Sequence, residues 1–251
     1  MFPEERHQHI LDLLDRTGRV TVSDLALRFD VTEDCIRKDL KQLAADGRCK
    51  RVYGGATRAE AVAERLVTNR LGSFKPEKHA IAQKALALIE PKQTIYLDIS
   101  TTTLYLAELI ASSGLACTVV SPMIDVNLAL ASSPAVTAIC PGGVMHPELN
   151  GFVGAIAGDA LRHYRFDVAF IGAAGVDADA REATTYDAED GLLKRTAIEC
   201  SGRAYLVCES RKLNAFGNFH FAGFSDFDAL ICDGEDEQAI ARVRDAGLDV
   251  L

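Results

Sequence analysis

Residues 21–57, TVSDLALRFDVTEDCIRKDLKQLAADGRCKRVYGGAT, hold two helix patterns, a short break between them, and a small basic segment after the second. In the first pattern, Ser23 to Phe29, the residues Val22, Leu25, Ala26 and Phe29 recur at helical spacing and define one buried face. Ser23 is suited to cap its start. Asp30-Val31-Thr32 makes the break, and Thr32 is suited to cap the next helix. Glu33 and Asp34 then occupy the first turn, where the helix dipole favours acids. Ile36, Leu40 and Leu43 continue the apolar stripe, with Cys35 expected to be buried beside them. Arg37, Lys38 and Lys41 are expected on the outer surface, and Gly47 ends the helix. Arg48 to Tyr53 reads as a hairpin closed by Gly54-Gly55. The order suits a winged helix-turn-helix, in which one helix enters the major groove of DNA and a wing reaches the flanking backbone.

Charge supports the same reading. From Ile36 to Arg58 there are seven cations and two acids, a net of +5, on a chain whose formal net charge is −9. Residues 1–58 hold eleven cations and ten acids, so the remainder carries −10. A basic spot on an acidic molecule focuses a polyanion onto one face. A charged helix alone is more often just a solvated face. The preceding helix, the spacing and the basic wing together favour DNA.

Outward from this stretch, Glu4 to Arg16 carries Ile10, Leu11, Leu13 and Leu14 and reads as a supporting helix of a three-helix core. Thr57 to Phe74 is charged and alanine-rich and reads as a partly helical linker. The 251 residues are enough for a small domain and one of ordinary size, and at 48% hydrophobic both can have a core. No apolar run approaches the roughly twenty residues that span a bilayer, and Met1 to Arg6 lacks signal-peptide design. The seven cysteines are scattered, with no CxxC pair, as expected of free thiols in a reducing cytoplasm.

From Lys75 onward short apolar runs alternate with helix patterns. Strands are expected at Thr94 to Asp98, Cys117 to Val120, Val136 to Cys140, Asp167 to Gly172, Tyr205 to Cys208 and Ala229 to Cys232. Helices are expected at Glu77 to Ile89, Leu104 to Ala111 and around Ile124 to Ala131. That alternation indicates α/β architecture with a parallel sheet covered on both faces. Such sheets bind ligands beyond the carboxyl ends of their strands.

The expected strand ends carry chemistry. Asp98 is followed by Ile99-Ser100-Thr101-Thr102-Thr103 at a helix start, where hydroxyls and free backbone N–H groups make an anion pocket suited to phosphate. Ordinary capping by one hydroxyl is the alternative, though one cap does not require four hydroxyls. Gly142 and Gly143 follow another strand and either admit a ligand or make a turn. Gly172 to Asp177 and Glu209 to Lys212 lie at two more strand ends, the latter with cations able to neutralise phosphate. Asp187 to Arg195 opens a further helix.

VTEDCIRKDLKQLAADGRCKRVYGGA resembles the N-terminal domain of DeoR-family bacterial transcriptional regulators, with Lys38 and Cys35 standing where Arg and Thr are usual. The resemblance implies that Arg37, Lys38 and Lys41 face DNA. It extends through YLDISTTTLYLAELI, similar to the family's phosphate loop although Ile99-Ser100 replaces a small residue and Gly, and through PGGVMHPELNGFVG, FDVAFIGAAGVD and ESRKL. Glu189 and Lys194-Arg195 fit the family's Glu-Ala-x-x-Lys-Arg helix. It implies a fold related to ribose-5-phosphate isomerase and glucosamine-6-phosphate deaminase, sensing a phosphorylated sugar or polyol.

The expectation is therefore a winged helix-turn-helix over residues 1–57, a linker over 58–74, and a ribose-5-phosphate-isomerase-like parallel-sheet α/β effector domain over 75–251. Double-stranded operator DNA is expected at Ser23, Thr32, Glu33, Arg37, Lys38, Lys41, Lys50 and Arg51. The effector is expected at Asp98, Ser100, Thr101, Thr102, Thr103, Gly142, Gly143, Gly172, Asp177, Glu189, Lys194 and Lys212. The rival reading is an active isomerase with a DNA-binding appendage. Proton transfer between sugar carbons needs a positioned base, and Gly172-Ala173-Ala174-Gly175-Val176 lacks the acids that the related isomerases carry there, leaving Asp177 and Glu182 as substitutes and Lys194 as a partner. An architectural nucleoid protein would be more basic. The histidines and cysteines show no ligand spacing, so neither metal nor cofactor is expected. His146 suits either a surface loop or a ligand contact. A cytoplasmic homodimer or homotetramer completes the expectation.

Overall fold

In the computed structural model, which describes residues 3–17, 19–46, 48–52, 54–58 and 67–251, the chain divides into two units, Met1–Asn69 and Arg70–Leu251. The first unit holds α1 (Pro3–Thr17), β1 (Arg19–Thr21), α2 (Val22–Phe29), α3 (Glu33–Ala45), β2 (Cys49–Val52) and β3 (Gly55–Arg58). Its core joins Ile10 and Leu14 of α1, Leu25 of α2, and Ile36, Leu40 and Leu43 of α3. Each such side chain contributes roughly 1.5–3 kcal/mol on leaving water. The expected stripe of α3 is thus the face that packs, which leaves Arg37, Lys38 and Lys41 exposed.

Three local details differ from the expectation. Thr21, not Ser23, caps α2: its hydroxyl accepts from the Asp24 N–H at 3.1 Å. The helix begins one residue early because Val22 belongs to the buried face, and this leaves Ser23 exposed. Cys35 is half-buried rather than buried, since it flanks the stripe instead of lying in it. The wing pairs β2 with β3, so Gly55 starts the returning strand, and β1 adds a third strand in the order β1-β3-β2. Gly55 serves close approach: a Cβ there would lie 1.9 Å from the Val20 carbonyl oxygen. Thr32 caps α3 as expected, accepting from the Cys35 N–H at 3.3 Å. Gly47 and Tyr53 lie outside the described residues.

A buried ion pair fastens α1 to α3. Asp39 accepts from Arg6 Nε at 2.6 Å and Nη2 at 3.1 Å, and meets His7 Nε2 at 2.9 Å. Burial alone would push the Asp39 carboxyl up, but its hydrogen bonds to Arg6 and His7 outweigh that and hold it below the usual range.

Of the expected linker, residues 59–66 lie outside the described residues, and Val67–Arg70 forms one helical turn. The second unit then runs α4 (Lys75–Leu86), β4 (Thr94–Leu97), α5 (Thr101–Ser113), β5 (Cys117–Val120), α6 (Ile124–Leu130), β6 (Val136–Ile139), β7 (Val144–His146), β8 (Gly151–Val153) and α7 (Ala155–Arg162). There follow β9 (Val168–Gly172), β10 (Gly175–Asp177), β11 (Glu182–Thr185), α8 (Ala188–Glu199), β12 (Ala204–Val207), β13 (Phe219–Gly223), β14 (Ala229–Ile231) and α9 (Glu237–Asp245). Six strands form one sheet in the order β14-β12-β9-β4-β5-β6, every pair parallel. All residues of β9 and β12 are buried, as strands covered on both faces must be. The expected strands are all present. The β7–β8 hairpin and the antiparallel sheet β10-β11-β13 are additions that the alternation did not indicate.

Connections from β4 lead through α5 to β5 on one side, whereas β9 neighbours β4 on the other and leads to β12. The sheet therefore reverses its direction of growth between β4 and β9, the point at which sheets of this kind bind ligands. Five cysteines are buried core residues, and Cys140, directly after β6, is exposed.

Candidate functional site

In the first unit a surface cavity is lined by Val22, Ser23, Glu33, Arg37, Arg51, Gly54 and Gly55. It gathers four of the expected DNA-facing residues from the start of α2, the first turns of α3 and the wing. Arg37 Nη2 lies 2.5 Å from Glu33 Oε2 and Nη1 lies 2.8 Å from Asp34 Oδ1, pairs at i,i+4 and i,i+3 spacing on an exposed helix face. Thr32, Lys38, Lys41 and Lys50 are exposed outside that cavity. The arrangement offers hydrogen-bond donors on one helix, flanked by cations of helix and wing, as a groove reader requires.

In the second unit the residues at the carboxyl ends of β4 and β9 converge. Asp98 follows β4 and is buried; its Oδ2 accepts from the Gly172 N–H at 2.9 Å and from Lys194 Nζ. A Cβ on Gly172 would fall 2.6 Å from Ser100 Cβ, so glycine is required for β9 to reach this loop. Lys194 Nζ also lies 3.2 Å from Asp190 Oδ1, and Thr185 donates to Asp190 Oδ2 at 2.6 Å. Burial works against the Lys194 charge, but Asp190 and Asp98 outweigh it and raise its pKa above the ordinary lysine value. Lys194 is thus a permanent cation held between two carboxylates.

The hydroxyl run divides in two. Ser100 caps α5: its Oγ accepts from the Thr103 N–H at 3.1 Å. The Thr103 hydroxyl meets the Asp98 carbonyl oxygen at 2.7 Å and that of Ser100 at 2.8 Å. Both groups hold the loop in shape. Thr101 and Thr102 lie inside the first turn of α5, three residues earlier than the helix start expected at Leu104. Ile99, bulky for this loop, is buried against Gly151 of β8, where a Cβ would come within 2.8 Å of Ile99 Cδ1.

The remaining expected residues fall elsewhere. Glu189 is exposed and lines a surface cavity with Gly154, Arg162, Leu192, Arg195 and Thr196; the carboxylate that meets Lys194 is Asp190. Helix geometry explains the exchange, since residues four apart share a face and residues five apart do not. Asp177 closes a local turn, accepting from the N–H groups of Asp179 and Ala180 at 2.9 Å each. Gly143 packs tightly against Val153 and Ala157, so its glycine serves the fold around the β7–β8 hairpin, and Gly142 takes a positive φ of 73° in the same turn. His146 Nε2 lies 3.6 Å from Asp187 Oδ2.

Lys212 Nζ lies 2.8 Å from Glu209 Oε2 and donates to the Ala173 carbonyl oxygen at 3.3 Å, tying the loop after β12 to the end of β9. Burial would raise the Glu209 carboxyl, but Lys212 and then Arg211 overcome it and bring it down to about 2. Lys78 of α4, 1% exposed, has its Nζ 3.9 Å from Glu209 Oε1. Asp190, Glu209 and Lys78 are the residues of this cluster that the expected effector set leaves out. Only Asp190 carried a usable signal, its i,i+4 spacing from Lys194.

Among the described residues no group of His, Cys, Asp and Glu is arranged to hold a metal ion, and no helix is long and apolar enough to cross a membrane.

Residues 6–62 match the DeoR-like helix-turn-helix domain and residues 73–234 match the DeoR C terminal sensor domain. The chain is 30% identical over 239 residues to the uncharacterized HTH-type transcriptional regulator FruR of Bacillus subtilis, covering 94% of this chain and 93% of that protein. It is 30% identical over 255 residues to the HTH-type transcriptional regulator GolR of Listeria innocua, covering 100% of this chain and 98% of that one. The lactose phosphotransferase system repressor of Lactococcus lactis is 29% identical over 238 residues, covering 94% and 92% of the two chains. Among solved structures, ribose 5 phosphate isomerase A of Neisseria gonorrhoeae is similar with a TM-score of 0.40 at 16% identity, over 56% of this chain and 53% of that one. These DeoR-type relatives are transcriptional regulators, not enzymes. With a helix-turn-helix domain matched over residues 6–62 and a sensor domain matched over residues 73–234, the chain belongs to the DeoR family of DNA-binding transcriptional regulators.

Proposed function

We propose that this regulator represses a sugar-catabolic operon and responds to a phosphorylated sugar or polyol. The observation that carries the effector half is the meeting of Asp98, Gly172 and Lys194 at the point where the sheet reverses, beside the N-terminal turn of α5. Free backbone N–H groups at a helix start attract phosphate. The Thr101 and Thr102 hydroxyls, which are not spent on capping, add donors, while buried carboxylates suit sugar hydroxyls. Ser100, Thr103, Gly142, Gly143, Asp177, Glu189 and Lys212 complete the proposed effector set as shaping or flanking residues.

The operator-facing set is Ser23, Thr32, Glu33, Arg37, Lys38, Lys41, Lys50 and Arg51, carried by a reading domain at 1–57, joined through 58–74 to the sensor at 75–251. A homodimer or homotetramer in the cytoplasm places two or more heads on repeated half-sites. Effector binding changes operator affinity only to the extent that it distinguishes two arrangements of the protein. Relatives named as the lactose phosphotransferase system repressor and as the transcriptional repressor GlcR support the repressor reading.

The test is a thermal-shift screen of the purified chain against phosphorylated sugars and polyols, followed by a mobility-shift assay at fixed salt. A compound that stabilises the protein and releases operator DNA is the expected result. Stabilisation by sugars irrespective of their phosphate would overturn the proposal.

A further inference from the structure

Arg70 opens the second unit, and its neighbour Asn69 closes the first. Its Nε is buried and has no hydrogen-bond partner among the described residues. Burial works against the guanidinium's charge, and Asp190, Glu209, Tyr186 and Asp98 favour it; the three carboxylates among these also meet Lys194 or Lys212. A buried donor without a partner costs free energy that an incoming acceptor recovers. Asp98 Oδ1 is likewise buried without a partner among the described residues.

The backbone at Arg70 is fixed. Lys78 Nζ donates to the Arg70 carbonyl oxygen at 2.9 Å and to that of Ser73 at 2.7 Å. Phe74, with a φ of 53°, presents its ring to Arg211, whose guanidinium carbon lies 3.9 Å from the ring centre. Arg211 in turn lies 3.5 Å from Glu209 Oε1. Residues 70–74 are therefore held by α4 and by the loop after β12, next to the proposed effector cradle.

Charge completes the picture. The cluster contains five cations (Arg70, Lys78, Lys194, Arg211 and Lys212) and three carboxylates (Asp98, Asp190 and Glu209), a net of +2. That excess matches a phosphate monoester, which carries about two negative charges near neutral pH. Lys194 is engaged by two of the carboxylates and Lys212 by the third, whereas Arg70 has no ion pair of this kind among the described residues.

We propose that Arg70 donates to the phosphate of the effector, so that a residue of the segment leading from the reading head is itself an effector ligand. The inference rests on the phosphate reading of the cradle and names a route for its regulation. Occupancy pulls on the Arg70 side chain, and the strain reaches Asn69 through one peptide bond. Lys78 acts as a positioning residue that keeps the Arg70 backbone in place. A planar fork suits phosphate better than a lysine point charge does.

The experiment uses the full chain as wild type, Arg70→Met, Arg70→Lys and Lys78→Met. The probes are the phosphorylated sugar that most stabilises wild type, its unphosphorylated sugar, and inorganic phosphate. Arg70→Met is expected to lose about tenfold or more in affinity for the phosphorylated probe. It should keep operator affinity in the absence of probe and no longer release DNA at probe saturation. Arg70→Lys, which keeps the charge and guards against a folding failure, should recover part of the affinity. Lys78→Met should still bind the probe and release DNA poorly. Wild-type affinity and wild-type release in both Arg70 variants would overturn the inference while leaving the cradle in place. A wild type that distinguishes no phosphorylated probe from its unphosphorylated sugar would overturn the cradle itself, and the inference with it.

Discussion

Gly172 and Asp98 are joined by a 2.9 Å hydrogen bond from the Gly172 N–H to Asp98 Oδ2, so the end of one strand and the start of the neighbouring strand's loop are fixed to each other where the sheet reverses. Gly172→Ala would place a methyl group 2.6 Å from Ser100 Cβ. Overpacking of this kind typically costs about 1–3 kcal/mol. The expected outcome is a lower melting temperature of the sensor and loss of the effector-induced shift, with operator binding retained. Calorimetry with and without effector checks both parts.

Thr102→Glu puts a carboxylate in the first turn of α5, where the proposed phosphate sits. It should abolish the effector-induced thermal shift while mobility-shift titrations of operator DNA stay as in wild type. An unchanged shift would move the pocket away from this helix.

Arg37→Ala should weaken operator binding by about 1–3 kcal/mol if the residue reads a base edge. Effector binding should not change. The pairs with Glu33 and Asp34 sharpen the expectation, because DNA must compete with two carboxylates for the same guanidinium. Equal affinity of mutant and wild type at one salt concentration would remove Arg37 from the groove.

Asp39→Asn tests the joint between α1 and α3. It leaves Arg6 buried opposite a neutral amide, and breaking a buried pair costs about 3–5 kcal/mol. The reading head should melt early, with operator binding lost in proportion. In wild type the Asp39 carboxyl is held low in the fold, so its contribution is complete above the unfolded carboxyl pKa and disappears as pH falls through the lower folded value.

Glu209 makes the same argument quantitative in the sensor. A carboxyl held at about 2 in the fold rather than at 4.5 contributes about 3 kcal/mol at neutral pH. Because the folded value is the lower one, that stability is present above about 4.5 and is lost as pH falls towards about 2. Glu209→Gln should flatten the acid limb of the stability curve over this window, as measured by urea titration of the two proteins at matched pH.

Much of the architecture was legible because it is local and periodic. Val22, Leu25, Ile36, Leu40 and Leu43 announce their helices by spacing, and Val168 to Gly172 announces a strand buried on both faces by an unbroken apolar run. The short strands Gly175–Asp177 and Glu182–Thr185 have too few residues to show alternation and are held by partners, Phe219–Gly223 among them, far along the chain. The candidate cluster was half legible for the same reason. Asp98 and Lys194 stand in recognisable segments, whereas Lys78 looks like any helix-surface lysine until Arg70, Ser73 and Glu209 enclose it. Glu189 and Asp190 are neighbouring acids of one segment, and only helical phase, which a motif does not state, decides that Asp190 is the one that meets Lys194.

Cys140 offers a practical return. Five of the other cysteines are buried and Cys35 is half-buried, so a thiol-selective dye has one well-presented target on the native protein. It stands two residues before Gly142, at the mouth of the β7–β8 hairpin. A fluorophore attached there would mark the sensor at one defined place, without a single engineered residue.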